Sequence, residues 1–425
     1  MKRLASCVCA LLLWLSPALA SDSIAPCCAD LEAIVAALEA TALRKGNSKM
    51  SLQIYGQINR AVLAWDDSFD TKAVGVDNST SSTRAGFIGQ TALRVGLLAG
   101  FRVEFEFPAP ASSAMFNPRD VTHAEVWNSF DLRQAYWYIA DETFGTVSVG
   151  HQWPATGTLT LINLGSQMND AALHYNNAFS IGLSIAGGIF SDLKWGQIAH
   201  NVDTLRGNYL RYDTPAILGF ILSASVGEDE SWDVALRYQV EGSMFRLAAG
   251  AGYRYEAASL LSEVKGGASL IHNATGFYAT VAGALREDDR SSIIGRPPAH
   301  FQYLQAGISR KWLPYGATTI YGDVGIYKNF NVGELLSVDP HTNQLVVWGT
   351  LSETEVMRWG YGLEQSFDEA GVLLYAQAHH FEPTVVGFPC DPNAPPGQCG
   401  GDPNNLVTLP MRPWSGYVTG MRIRF

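Results

Sequence analysis

No stretch of this 425-residue chain reaches the roughly 18 consecutive apolar residues that a membrane-spanning helix needs, which excludes a helical membrane protein. Charge is sparse too: Asp, Glu, Lys and Arg make up 16% of the residues, while the mean hydropathy is +0.03. Basic residues are the minority, 29 against 40 acidic, and the formal charge of −11 comes with no basic patch, so nucleic acid is excluded as a partner. Metal-ligand spacing and a serine nucleophile motif are lacking, and the only adjacent histidines, His379-His380, would point to opposite faces of a strand. No enzyme, metal or cofactor is expected.

What is present is alternation. Phe101-Arg102-Val103-Glu104-Phe105-Glu106-Phe107 puts apolar side chains on one face of a strand and three charges on the other. Trp232-Asp233-Val234-Ala235-Leu236-Arg237-Tyr238 repeats the pattern, as does the segment from Phe245-Arg246-Leu247 to Tyr253-Arg254-Tyr255. Stretches of about ten such residues have the length and pattern of strands crossing a membrane in a barrel that holds water.

The N-terminus reads as an export signal. Met1-Lys2-Arg3 is basic, Cys7 to Leu15 is apolar, and Ala18-Leu19-Ala20 is a cleavage site, so 1–20 is expected to leave. Leu4-Ala5-Ser6-Cys7 imitates a lipoprotein box but precedes the apolar core, where the processing enzyme does not cut. Loss of Lys2 and Arg3 takes the charge from −11 to −13. Of six cysteines, Cys7 and Cys9 go with the signal, and Cys390 and Cys399 are expected to close a small Pro/Gly-rich loop as a disulfide. Cys27 and Cys28 either link protomers or stay reduced.

Residues 21–50 form a periplasmic segment in this reading. Leu31, Ile34, Leu38 and Thr41 sit at heptad-like spacing over 29–43, giving either a short trimeric coiled coil or, more plainly, a solvated helix. A hinge, Arg44-Lys45-Gly46-Asn47, follows. The barrel is expected over 51–425, with sixteen strand candidates running from 51–65 to 354–366, 371–382 and 413–425. Short connections such as Pro215-Ala216-Ile217 and Asp368-Glu369-Ala370 alternate with long polar ones, as when one barrel end faces the periplasm. The chain stops on Tyr417-Val418-Thr419-Gly420-Met421-Arg422-Ile423-Arg424-Phe425, and the terminal Phe425 is the form of signal that outer-membrane barrels present to their assembly machinery.

Several segments resemble the Gram-negative general porins, most closely the alphaproteobacterial porin family. They are the hinge followed by Met50-Ser51-Leu52 and Gly56-Gln57-Ile58-Asn59-Arg60-Ala61-Val62-Leu63, then Trp65-Asp66-Asp67. Arg133-Gln134-Ala135-Tyr136 with Phe144-Gly145-Thr146-Val147, Leu210-Arg211-Tyr212-Asp213-Thr214-Pro215, and the run from Ser223 to Tyr238 continue the likeness, which covers nearly everything after residue 44. The resemblance implies an all-β, sixteen-stranded antiparallel transmembrane barrel, a homotrimer, and a third external loop folded inward as a constriction. Its partners are then outer-membrane lipid and lipopolysaccharide, the barrel assembly machinery, and the small polar solutes and ions that diffuse through passively. A substrate-specific channel and an envelope tether with secondary channel activity are the alternatives.

Parity assigns Arg102, Glu104 and Glu106 to the lumen, and the resemblance places Arg84 and Arg133 as wall arginines facing the constriction loop, expected within 153–205. Further lumen-wall positions by alternation are Arg211, Asp213, Asp233, Arg237, Arg246 and Arg254, each also readable as an ordinary wall residue paired across strands. In porins this loop commonly carries carboxylates; here 156–164 has none, and the first is Asp170. A transverse field of acidic loop against basic wall is therefore weakened, which favours anions. Arg60 falls on the lipid face, where an arginine costs roughly 2–4 kcal/mol at mid-membrane; a subunit interface, with Gly56 permitting close approach, is the favoured escape over a bulge or snorkelling.

Overall fold

The computed structural model describes residues 49–108, 110–116, 130–168, 180–185, 189–200, 203, 206–228, 230–288, 297–333, 335–338, 346–391, 393 and 399–425. The segment 1–48, with the expected signal, helix, Cys27 and Cys28, lies outside them, as does Asp170.

Strands begin with β1 (Ser51–Asp66), β2 (Thr71–Asp77), β3 (Arg84–Arg94), β4 (Leu97–Glu106), β5 (Asp131–Asp141), β6 (Gly145–Gln152), β7 (Gly182–Ile185) and β8 (Ile189–Lys194). Next come β9 (Gly207–Asp213), β10 (Phe220–Gly227), β11 (Ser231–Glu241), β12 (Phe245–Glu256), β13 (Leu261–His272), β14 (Phe277–Asp288), β15 (Ala299–Leu313) and β16 (Gly316–Lys328). The last are β17 (Leu335–Val338), β18 (Val346–Phe367), β19 (Val372–Pro389), β20 (Val407–Leu409) and β21 (Trp414–Arg424).

Sixteen of these close a ring. β1 pairs with β3, the chain then runs as an antiparallel meander through β4, β5, β6 and β9 to β16, β18, β19 and β21, and β21 returns to β1. This is the expected barrel. Alternation accounts for its outside: Ile58, Val62, Trp232, Val234 and Leu236 lie exposed on the outer face that hydrocarbon covers, while Asn59, Leu63, Asp233 and Ala235 are buried inside. At the seam, the backbone of Phe425 exchanges hydrogen bonds of 2.9 and 3.1 Å with Gly56. A Cβ on Gly56 would stand 2.6 Å from the Phe425 ring, so the close approach this glycine permits is made by the chain's own last residue.

Strand ends differ from expectation. The segments expected at 354–366 and 371–382 are the membrane portions of β18 and β19, which continue as a hairpin to Val346 and Pro389, with β20 added at Val385–Gly387. Beyond the bilayer neither face of a hairpin must be apolar, so the pattern that marks a spanning strand fades. The disulfide Cys390–Cys399 lies just past the end of β19, in the connection to β20. β2 was also outside the expectation, and it answers the problem of Arg60. That side chain does point outward, half-exposed, with Nε 3.8 Å from the buried Asp77 carboxylate at the end of β2.

Candidate constriction site

The residues assigned to the constriction meet on β3, β4 and β5, where the ladder sets Arg84 opposite Glu106 and Glu104 opposite Gln134. The register slips after Glu104, which pairs with Gln134 while Phe105 pairs with Leu132. Arg133 is the extra residue of this bulge, and the bulge aims it inward beside Gln134. Glu104 is the buried hub. It accepts hydrogen bonds from Arg133 Nε at 2.8 Å, the Tyr55 hydroxyl at 2.9 Å, and Arg102 Nη2 and Gln134 Nε2 at 3.3 Å each. Arg84 Nε stands 3.9 Å away. Arg133 Nη1 also donates to Glu106, and Arg102 Nε donates to the Tyr55 hydroxyl at 2.7 Å.

Arg206, just before β9, joins the collar with its guanidinium 4.2 Å over the Trp153 ring. Burial, then the neighbouring Arg133, pushes Arg206 down to about 10, against the pull of Glu106 and Glu104. Arg84, Arg102 and Arg133 thus meet Glu104 and Glu106 on one stretch of inner wall, with Arg206 close enough to feel the charges of Arg133, Glu106 and Glu104.

The loop after β6 does fold inward, and the wall holds it by its backbone. At one end Asp233 accepts from the Thr156 amide and hydroxyl, 2.6 Å each, and from the Ala155 amide at 3.3 Å. Arg237 Nη2 donates to the carbonyls of Ala155 (2.7 Å) and Gly157 (2.8 Å), and Arg211 Nη1 to that of Pro154 (3.2 Å). In the middle, the Leu164 amide donates to Ser269 Oγ and Asn163 Nδ2 to Gln305 Oε1. At the far end, Glu364 accepts from Ser166 Oγ (2.5 Å) and the amides of Gln167 (2.8 Å) and Met168 (3.1 Å), with Arg422 donating to the Gln167 carbonyl. Carboxylates on the wall therefore grip a loop whose residues 153–168 carry no charge.

This seat exists because the wall beneath is stripped of side chains. A Cβ on Gly250 would lie 2.7 Å from Leu159 Cδ2, one on Gly252 2.8 Å from Thr156 Cγ2, and one on Gly267 2.6 Å from the Leu159 carbonyl. Gly250 and Gly252 share strand parity, a sequence signal for close packing on the inner face.

The interior is not uniformly polar. The β7–β8 hairpin and the helical turn Trp195–Ile198 pack against inward-facing residues of β15, β16, β19, β21 and β1. Trp195 lies 5.6 Å from Phe381 and 6.3 Å from Trp414, and Leu183, Leu193, Tyr303 and Tyr327 complete a dry cluster. Behind it, Asp323 binds Arg358 Nη2 at 3.0 Å and His379 Nε2 at 3.2 Å, all fully buried. His380 turns outward to Ser415 Oγ at 2.8 Å.

The structure therefore brings Arg84, Arg102, Glu104, Glu106 and Arg133 together. It assigns Arg211, Asp233 and Arg237 to contacts with the loop, and Asp213 to an ion pair with Arg211 at 2.7 Å. Arg254 pairs with Glu256 (3.0 Å) away from the collar, and Arg246 stands near the turn between β11 and β12. Sequence reasoning did not single out Tyr55, Gln134, Trp153, Arg206 or Glu364. Glu364 shares parity with the inward-facing Gly362, so its orientation at least was readable.

A family model described as Gram-negative porin matches residues 16–382. No curated protein sequence matches significantly. Among solved structures, the in-vitro folded outer membrane protein OmpT of Vibrio cholerae is 12% identical, with a TM-score of 0.51, covering 90% of this chain and 99% of its own. The anion-selective porin from Comamonas acidovorans is 14% identical, with a TM-score of 0.51, covering 88% of this chain and all of its own. Identity this low carries the fold alone.

Proposed function

Since this chain belongs to the Gram-negative porin family, a multi-pass outer-membrane β-barrel that lets small solutes diffuse passively, we propose that its opening favours anions. The collar supports this: four arginines stand with two glutamates, and the uncharged stretch 153–168 adds no carboxylate to balance them. Fixed positive charge on a narrow wet wall raises the local anion concentration. Arg84, Arg102, Glu104, Glu106, Arg133 and Arg206 set the local field in this reading, and Arg211, Asp233, Arg237 and Glu364 are positioning residues for the loop.

A salt gradient across a planar bilayer tests it. Wild type should reverse on the anion side, and Arg84→Gln with Arg133→Gln should move the potential toward cations. An unchanged potential defeats the assignment.

The remaining parts of the reading follow the family. Residues 1–20 direct export, 21–50 form a periplasmic segment, and three barrels assemble in lipid and lipopolysaccharide after Phe425 engages the assembly machinery. The barrel does no catalysis: His379 and His380 face opposite sides of the wall, which supports a purely conductive role.

A further inference from the structure

Toward the short-turn end from the collar, the inner wall of β4, β5, β6 and β9 carries a recess of about 370 Å³. That lies within the roughly 300–1,000 Å³ of small-molecule sites. Two tyrosine rings face it, Tyr136 and Tyr138, with centroids 6.4 Å apart and planes tilted by 49°. Tyr138 leans on a glycine. A Cβ on Gly100 would lie 2.4 Å from the Tyr138 ring, so that ring lies against bare backbone and turns its other side to the lumen. Gly150, the β6 ladder partner of Tyr136, has a φ of +133°, a backbone suited to glycine, and leaves that side of Tyr136 without a cross-strand side chain, while Arg102 is its partner on β4.

Unused polar groups converge on the same space. Among the described residues the hydroxyls of Tyr136, Tyr138 and Thr146 have no protein hydrogen-bond partner. Arg102 commits Nε to Tyr55 and Nη2 to Glu104, which leaves Nη1 open. Ser148 Oγ donates to Gln152 Oε1 at 2.8 Å and retains its capacity to accept. Each cation at the recess has a carboxylate beside it: Arg211 is closed on Asp213, and Arg102 reaches Glu104, which it shares with Arg133.

Aromatic faces beside free hydroxyls, with each cation already on a carboxylate, suit a solute that has an apolar C–H face and a hydroxyl rim. We propose that this recess is a binding subsite for a neutral monosaccharide, so that sugar passage through the channel is saturable. The proposal rests on the channel reading above, and the experiment separates the two.

Full-length protein is reconstituted in liposomes for labelled D-glucose influx and in planar bilayers for KCl conductance. Glucose influx should saturate, and glucose should lower KCl conductance to a plateau. Tyr136→Leu with Tyr138→Leu should raise the half-saturation concentration about tenfold, while Tyr136→Phe with Tyr138→Phe, keeping the rings, should raise it about threefold. KCl conductance retained in both pairs shows that they are folded. Influx linear in glucose, or a half-saturation unmoved by the leucine pair, overturns the subsite while leaving the channel intact. Glucuronate outcompeting glucose at constant ionic strength overturns the neutral class. Loss of KCl conductance in wild type would instead overturn the channel itself.

Discussion

The two sides of this barrel are alike outside and opposite inside. On the β3–β9 side, inward residues are charged or hydroxylated and meet at an opening, with Glu104 tying together Arg102, Arg133 and Tyr55. On the β15–β21 side, inward residues such as Tyr303, Tyr327, Phe381 and Trp414 bury themselves against the folded-in hairpin. The lipid dictates the outer face of every strand. Nothing common dictates the inner face, which takes whatever chemistry its neighbour supplies: water on one side, protein on the other.

The sharpest way to break this division is to hollow the filled side. Trp195→Ala removes a fully buried ring and should cost about 3–5 kcal/mol in urea unfolding, with ion preference unchanged. A shift in reversal potential as large as that of a collar variant would show that the two sides are not separate. Next in size, Glu364→Ala orphans the amides of Gln167 and Met168, each worth about 1–3 kcal/mol when left buried and unpaired, while Ser166 Oγ keeps the Met168 carbonyl. The loop should detach at that end and single-channel conductance should become larger and noisier. Arg206→Gln on the open side should leave stability alone and move the reversal potential toward cations by less than the double collar variant does.

The smallest effect concerns the short turns, which belong to neither side. Hydrogen bonds from Lys311 (2.7 Å) and Ser366 hold Asp368 below the usual carboxylate range. A lowered folded pKa stabilises above the unfolded value, and that contribution disappears as the pH falls through the folded one. Lys311→Met should therefore lower the urea midpoint slightly at pH 7 and not at pH 2, because an exposed pair is well screened.

This asymmetry also explains what the sequence let us read. Trp232, Val234 and Leu236 alternate with Asp233 and Ala235 because one partner is hydrocarbon, so strand count and parity were legible, and Arg102, Glu104 and Glu106 could be assigned inward. The partners of inward residues were not legible. Asp233 reads as a wall charge, but its ligand Thr156 lies 77 residues away, and only the closed barrel shows that the acid holds a loop. Phe301 and Tyr303 keep the alternation while facing a dry interior, which gives no polar contrast to signal a plug. Arg133 depended on a bulge that no parity rule anticipates.

The joint between Phe425 and Gly56 has a consequence for biogenesis. The two ends of the sheet lie some 370 positions apart in the chain, so every length that stops short of β21 leaves two raw borders of unmatched amides and carbonyls. A truncated product is therefore an adhesive ribbon and never a smaller pore. Closure waits on the strand that completes the ring.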